Sequence, residues 1–483
     1  MKTLVFDGLF VYKDLPKIFD GKTSLEIIYG EVKSDYDRFI LIQNGNIKNI
    51  PEGIKNITLQ EFYPNTILET IYEESKNTDD IVIFDVGNPF YDKNFIDNML
   101  NQHTQYISDY TYCIGFADGM APTIVKKDIM REMAKLVEND KIIKKDYLFY
   151  ALSKDINSFD IETILSDIDL RIYRIKLGLN DTGEEILTTK IYNKFKSNFT
   201  IQKITEYFSK NIDALYTVPY MLNIELTNYS PIKSIYYPEL GESQTEMDFE
   251  LAKKIIDDTY NLNADLWLVF GGMGEPLTHK NFIDILKYAD SKDINIVVET
   301  TGFGLNKEFI DKISDLNKEK ISFVLKIDCY DEKTYNIIHP EAKFSDIKDV
   351  ITILTDSGFK FYKQVVRMLE NEVEIEKYIR NKEANNLIIR KYSTYCGKLK
   401  DKKVVDLSPL ERIPCIHLRR EIFVTPNGKV SYCSFSPDQI IGDFNTEDIN
   451  SITPKLQNAY KENTLGDYKP FCVNCDDYYL FNF

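Results

Sequence analysis

Between Tyr220 and Lys391 the chain repeats one pattern, a short apolar run followed by a helical stretch, and this alternation restricts the folds open to it more than any other feature. The apolar runs are Tyr220 to Leu226, Leu266 to Phe270, Asn295 to Glu299, Ile321 to Asp328, Lys363 to Met368 and Asn386 to Lys391. The helical stretches between them are Asp248 to Tyr260, Asn281 to Ser291, Lys307 to Leu316, Ser345 to Ser357 and Val373 to Glu383. Parallel strands joined by helical crossovers build a (β/α) barrel, so residues 213–395 are expected to form a partial (β/α)6 barrel. Its working face is the carboxyl end of the strands.

Several unusual turns fall at that end. Thr227 to Pro238 follows the first run, with Ser230, Ser234 and Tyr237 in it, and Gly271-Gly272-Met273-Gly274-Glu275-Pro276 follows the second. Glu299-Thr300-Thr301-Gly302 follows the third, and Asp328 ends the fourth. Taken singly, these are ordinary features: a glycine-rich turn after a buried strand, and a strand-end acid that caps a loop. Together they resemble the opening of a radical S-adenosylmethionine (SAM) enzyme. That family carries three cysteines spaced C-x3-C-x2-C after the first strand and G-G-x-x-E-P after the second. Here Ser230, Ser234 and Tyr237 hold the three cysteine places. Hydroxyls ionise far above pH 7 and are hard oxygen donors, so they do not replace thiolates around a 4Fe-4S cluster.

The resemblance implies a radical-SAM-like barrel without radical catalysis. It also implies that Gly271, Gly272, Gly274, Glu275 and Pro276 form a cofactor-binding turn fixed by Glu275, and that Asp328 meets the cofactor's ribose. SAM binding is expected to be weak, because the open iron that normally chelates it is missing. No Ser/His/Asp set, H-E-x-x-H or phosphate loop is recognisable in this part. His279 and His339 read as solvated loop residues.

Cys415, Cys433, Cys472 and Cys475 carry the strongest chemical signal in the chain. Their spacing is C-x12-G-x4-C, a gap, then C-x2-C, with Pro426-Asn427-Gly428 turning between strands Glu421 to Thr425 and Lys429 to Tyr432. Two thiolates from the C-x2-C turn and one from the hairpin, with a fourth nearby, make a four-sulfur metal site. Spacing alone favours a structural zinc ion. The pattern resembles the SPASM/twitch domain, including Ile441-Gly442-Asp443-Phe444, and the resemblance implies one 4Fe-4S cluster instead. Zinc remains the alternative. Cys396 lies outside the pattern, as a spare thiol rather than an expected ligand, and His417 matches no ligand position in it. Residues 396–483 are expected to be loop-rich and to depend on the metal for folding.

Residues 1–212 alternate strands (Thr3 to Asp7, Arg38 to Gln43, Asp80 to Val86, Tyr110 to Phe116, Leu170 to Leu177) with helices (Leu59 to Glu74, Lys93 to Tyr106, Thr123 to Glu138), which predicts a layered α/β domain. Asp85-Val86-Gly87-Asn88-Pro89-Phe90 and Gly119-Met120-Ala121-Pro122 resemble the nucleotidyltransferase fold. In active members an aspartate stands where this chain has Gly87, and a glycine-rich basic loop follows the first strand. Here that loop is Asp7 to Asp14, with one glycine and one lysine, so the resemblance implies a degenerate, catalytically silent relative.

In this order the three parts resemble the spirochaete SPASM-domain protein family. The resemblance supplies an architecture and an iron–sulfur cofactor but no reaction. Two readings stand: a 4Fe-4S protein acting as scaffold, sensor or electron carrier, and a SAM-dependent or nucleotidyl/glycosyl transferase of cell-envelope or sugar-nucleotide metabolism. A net charge of −17 without a basic cluster argues against nucleic acid and anionic membranes and leaves a protein or peptide as partner. No apolar run reaches the length of a membrane span, and an odd set of seven cysteines suits a reducing compartment, so a cytoplasmic protein is expected.

Overall fold

The computed structural model describes residues 2–239, 244–340, 342–380, 386–406, 408–409 and 411–479. The chain divides into two compact units, Met1–Thr217 and Val218–Phe483, each mixed α/β with parallel strands. Among the described residues no helix is long and apolar enough to cross a membrane.

The first unit is built on seven strands: β1 (Lys2–Gly8), β2 (Arg38–Gln43), β3 (Ile54–Thr58), β4 (Asp80–Asp85), β5 (Tyr110–Ile114), β6 (Thr123–Lys126) and β7 (Ile161–Leu165), in the order β3-β2-β1-β4-β6-β5-β7. β1 is buried on both faces: Leu4 and Phe6 pack into one apolar cluster and Val5 into another, as a sheet covered by helices on both sides requires. The chain leaves β1 for β2 on one side and returns to β4 on the other, so Asp7 and Asp85 face each other in register at the carboxyl ends of neighbouring strands. Leu170 to Leu177 is not a strand. A 3-10 turn at Arg171–Tyr173 and a left-handed Arg174 interrupt it, and the pairing partner of β5 is the upstream segment β7. Thr123 to Glu138 opens with strand β6 before its helix, Lys127–Leu136.

The second unit contains β8 (Met221–Ile224), β9 (Trp267–Phe270), β10 (Asn295–Thr300), β11 (Ile321–Lys326), β12 (Lys360–Arg367) and β13 (Leu387–Lys391), all parallel and adjacent in chain order. Helices follow the apolar spacing. In Phe249–Leu262, Ala252, Ile255, Ile256 and Thr259 face the core and Asp248 caps the first turn. The helix Glu372–Arg380 starts where expected, and residues 381–383 of that expected helix lie outside the described residues. A further helix, Glu332–Ile338, precedes Phe344–Ser357.

The expected boundary at 396 falls inside this unit, and the sheet runs on beyond it. β14 (Glu421–Val424) lies parallel to β8, and β15 (Lys429–Ser431) and β16 (Ile440–Asp443) follow antiparallel, completing nine strands among the described residues. Pro426, Asn427 and Gly428 form the turn between β14 and β15. Gly428 takes a left-handed φ of 78°, and an added Cβ would sit 2.8 Å from Leu251.

Candidate functional site

The loop after β8 carries no thiol, and each of the three positions where the resemblance expects a cysteine is already engaged. Ser230 Oγ donates to Ile232 O at 2.7 Å, and the Tyr237 ring lies 5.2 Å from Lys326 Nζ. Ser234 Oγ lies 2.9 Å from His339 Nδ1, and His339 Nε2 lies 2.9 Å from Asp328 Oδ2. The same carboxylate oxygen accepts Tyr236 OH at 2.8 Å, and Asp328 Oδ1 accepts the Val366 N–H at 2.7 Å. Asn371 donates to the carbonyls of Asp328 and Val366, which fixes the left-handed Asp328 (φ 56°).

A Ser/His/Asp line therefore exists, and both barrel histidines are buried rather than solvated: His339 at 0% and His279 at 3% exposure. The tertiary fold draws Ser234, Asp328 and His339 together from three separate loops. Ser234, Asp328 and His339 are all buried, so the line acts as an internal brace. Asp328, expected at a cofactor's ribose, has both carboxylate oxygens committed to this network.

The Gly271–Pro276 turn is held by two buried acids. Glu275 accepts Thr300 Oγ1 at 2.8 Å on one oxygen and the Thr301 N–H and Oγ1 at 2.7 and 2.6 Å on the other, so it fixes the loop. Glu225 Oε1 accepts the Met273 and Gly274 N–H groups at 2.7 and 3.2 Å. Only glycine fits at 274, where a Cβ would come within 1.8 Å of Thr227 O. Lys326, 2% exposed at the end of β11, points its ammonium at Gly272 O (3.4 Å) and Glu299 (3.8 Å). Burial opposes its charge, but Tyr237, Glu299 and Glu275 more than offset that and hold its pKa above the ordinary lysine value.

Burial pushes the Glu225 carboxyl up to about 7, against the lowering effect of the Met273 and Gly274 N–H groups and Lys326. The folded chain thus keeps this proton at pH values where the unfolded chain, near 4.5, has lost it, so stability falls as pH rises from 4.5 towards 7. Glu225→Gln removes the titration. Its stability relative to wild type, from urea melts, should improve by about 2 kcal/mol between pH 5 and pH 8. A pH-independent difference would remove Glu225 as the cause.

Residues on the inward side of the strands line a cavity of about 380 Å³, among them Asn223, Val269, Glu299, Val324, Gln364 and Arg390. Gly272 and Met273 reach it from the turn, and Tyr395, His417, Glu421 and Phe435 from the C-terminal part. Three buried polar atoms of its lining, Asn223 Oδ1, Gln364 Nε2 and His417 Nε2, have no hydrogen-bond partner among the described residues. Such atoms are costly in a dry core.

Beside this cavity the cysteines gather. Cys415 caps the helix Ile416–Arg420, and its N–H donates to Asn463 Oδ1 at 2.9 Å; Cys433 follows β15; Cys472 lies in the short helix Pro470–Val473, with Cys475 after it. Burial raises the Cys415 thiol to about 12 and the Cys472 thiol to about 11, with further upward pressure from neighbouring cysteines. Burial, then Cys415, Cys475 and Cys472, also drives Cys433 upwards. Backbone N–H groups point at three of the sulfurs: Leu418 and His417 at Cys415, Phe435 at Cys433, and Asp477 at Cys475, the last at 3.3 Å. Arg412 and Lys469 bring positive charge to Cys472. Cys396, which sequence spacing set aside, lies near the same segment, with its Sγ 3.8 Å from Phe435 O, two residues past Cys433. Its nineteen-residue distance from Cys415 matched no ligand pattern, so sequence gave no signal for it.

Family models match two stretches: radical SAM superfamily over residues 230–381, and iron-sulfur cluster-binding domain (SPASM) over 415–476. Both matches lie in the second unit and together span less than half of the chain. The SPASM match opens on Cys415 and closes one residue after Cys475. An uncharacterized protein of Treponema pallidum is 26% identical over 363 residues, 70% of this chain and 99% of the relative. The tungsten-containing aldehyde ferredoxin oxidoreductase cofactor-modifying protein of Pyrococcus furiosus is 26% identical over 86 residues, 18% of this chain and 24% of that protein. Among solved structures, Streptococcus suis SuiB bound to precursor peptide SuiA has a TM-score of 0.43 and 14% identity, covering 72% of this chain and 83% of that one.

In the first unit, Asp7, Asp85, Asp118 and Glu184 line a cavity of about 480 Å³ with Lys145 and Lys176. Burial raises all four acids, Asp7 to about 6. Asp85 Oδ1 accepts the Gly87 N–H at 2.8 Å, the turn-capping role expected of a strand-end acid.

Proposed function

We propose that this chain is an iron–sulfur protein that keeps the radical SAM barrel without cleaving SAM. In this reading its single 4Fe-4S centre is held by Cys415, Cys433, Cys472 and Cys475, and it works as an electron carrier or sensor for a polar ligand in the adjoining cavity. The observation that carries the reading is the loop after β8, where Ser234 is bound to His339 and no thiolate is offered. Lys326 supports it, since its ammonium already lies on Gly272 O, in the turn that the family resemblance assigns to the cofactor's amine.

The four cysteines fit a cluster. Backbone N–H groups directed at their sulfurs favour the thiolate form, and Arg412 and Lys469 balance part of the added charge. A single ion needs closer convergence, and among the described residues no three His, Cys, Asp or Glu side chains are arranged to hold one. When bound, the cluster supplies one-electron redox chemistry and a soft cross-link between the hairpin and the C-x2-C turn. His417 and Phe435 lie both near these cysteines and on the cavity wall, so a ligand there would sit next to the centre.

Anaerobically purified chain should contain about four iron and four acid-labile sulfide, and zinc without sulfide would sink the reading. With SAM and dithionite, no 5′-deoxyadenosine should form above a no-protein control. Its reductant-dependent appearance would restore radical catalysis.

A further inference from the structure

The inward face of the barrel strands carries polar groups that neither the Gly271–Pro276 turn nor the cysteines use. Asn223 on β8, Gln364 on β12 and Arg390 on β13 all line the cavity of about 380 Å³. Asn223 and Gln364 are 9% and 2% exposed, yet Asn223 Oδ1 and Gln364 Nε2 have no hydrogen-bond partner among the described residues. One is an acceptor and the other a donor, and pairing either inside the protein is worth more than pairing it in water.

Arg390 supplies the charge. Its side chain is 40% exposed, and among the described residues its one side-chain hydrogen bond is a long one, 3.4 Å from Nη1 to Gln364 Oε1. The acid paired with it, Glu299, stands 3.8 Å away, beyond hydrogen-bond reach, and is shared with Lys326, also at 3.8 Å. With Gln364 Oε1 turned to Arg390, Nε2 and the other guanidinium N–H groups remain as donors on neighbouring strands. The planar fork of arginine matches a carboxylate, whereas a phosphate dianion would be repelled by Glu299 beside it. The acceptors gather elsewhere on the wall. A Cβ on Gly271 would lie 3.1 Å from Glu299 Oε2 and 3.3 Å from Asn223 Oδ1, so both oxygens face one backbone point and suit an N–H donor. Lys326 Nζ already stands 3.8 Å from Glu299 Oε2, so an added ammonium would meet a like charge that a neutral N–H does not.

We propose that this cavity binds a small monocarboxylate carrying a neutral N–H group, of the acylated amino-acid type, with Arg390 and Gln364 Nε2 on the carboxylate and Asn223 Oδ1 on the N–H. The proposal rests on the reading above that a polar ligand occupies this cavity, and it names the class of that ligand. It requires no cluster. Tyr237, Tyr395 and Phe435 give the cavity aromatic walls for the apolar body of such a molecule. A free amino acid, and SAM with its α-ammonium group, bring the extra positive charge that Lys326 opposes.

The test is isothermal titration of anaerobically purified full chain with N-acetylglycine, N-acetylleucine and N-acetylphenylalanine. At least one should bind about tenfold or more tightly than its own carboxamide and than the free amino acid. This comparison is made on the wild-type chain and does not depend on any variant folding. Arg390→Met, Gln364→Leu and Asn223→Leu should each weaken the best of the three by about tenfold. An N-acetylated tripeptide with a free carboxyl end presents the same chemistry on a larger body and should bind more weakly; equal or tighter binding would overturn the assignment to a small molecule. Equal affinity for acid and carboxamide, tighter binding of SAM, undiminished binding by Arg390→Met, or no binding of any of the three would overturn the site. The same preparation is assayed for iron, sulfide and 5′-deoxyadenosine formation. Failure there would overturn the iron–sulfur reading and leave the binding result standing, and failure of binding alone would leave that reading intact.

Discussion

Replacing Cys433 with serine is expected to strip iron and sulfide from the chain and to melt the C-terminal part of the second unit. Serine swaps a soft anionic ligand for a hard neutral one. Between β13 and β14 the backbone is mostly loop, and the described residues from 411 onwards hold together through short strands, the helix Ile449–Thr464 and contacts such as Cys415 N to Asn463. A segment of this kind takes much of its folding free energy from metal ligation, so the loss should exceed about 3 kcal/mol for that part. Limited proteolysis should cut residues 425–479 first. The parallel strands β8 to β13 should stay protected, because their hydrogen bonds and core do not run through the cysteines. Full iron content with unchanged protease resistance would make Cys433 an ordinary buried thiol.

Asp328→Ala should cost about 3–5 kcal/mol of unfolding free energy. The carboxylate accepts from Tyr236 OH and the Val366 N–H and meets His339, all inside the protein. Truncation leaves these donors buried without partners, each a penalty of about 1–3 kcal/mol that does not add fully. Alanine is also strained at φ 56°. The loop of Ser234 and Tyr236 should loosen with it, which hydrogen exchange at residues 232–237 would register. Asp328→Asn keeps an acceptor and should lose roughly half as much. Urea melts showing a change below about 1 kcal/mol for the alanine variant would mean that the Ser234–His339–Asp328 line does not brace the loop.

The parallel half of the second unit could be read from sequence because its information is local. Each apolar run is long enough to be a strand, each helix has its own buried stripe and cap, and the connections leave parallel neighbours as the simplest arrangement. The same holds for Gly274 and Glu275, whose turn follows directly from the strand before it, and for the spacing of Cys415, Cys433, Cys472 and Cys475. The first unit was less legible where segments were short. Leu170 to Leu177 has the apolar content of a strand, but Arg174 takes a left-handed conformation that periodicity does not reveal, and β5 pairs with Ile161–Leu165 instead.

What tertiary structure alone decided are contacts between residues far apart in the chain. Ser234 and His339 are separated by 105 positions, one read as a cysteine place and the other as a solvated loop residue, until the carboxyl ends of β8 and β11 bring them to Asp328. Cys396 matches no spacing rule, because its place near Phe435 depends on three left-handed residues and on ties from Thr394 and Ser393 to Asp476 and Asp477. The pairing of β14 with β8, which joins the cysteine-bearing hairpin to the barrel sheet, likewise left no local mark. Sequence determines such features only through the whole fold: the free energy that fixes them is shared among many distant contacts, and none of it is stored in the residues themselves.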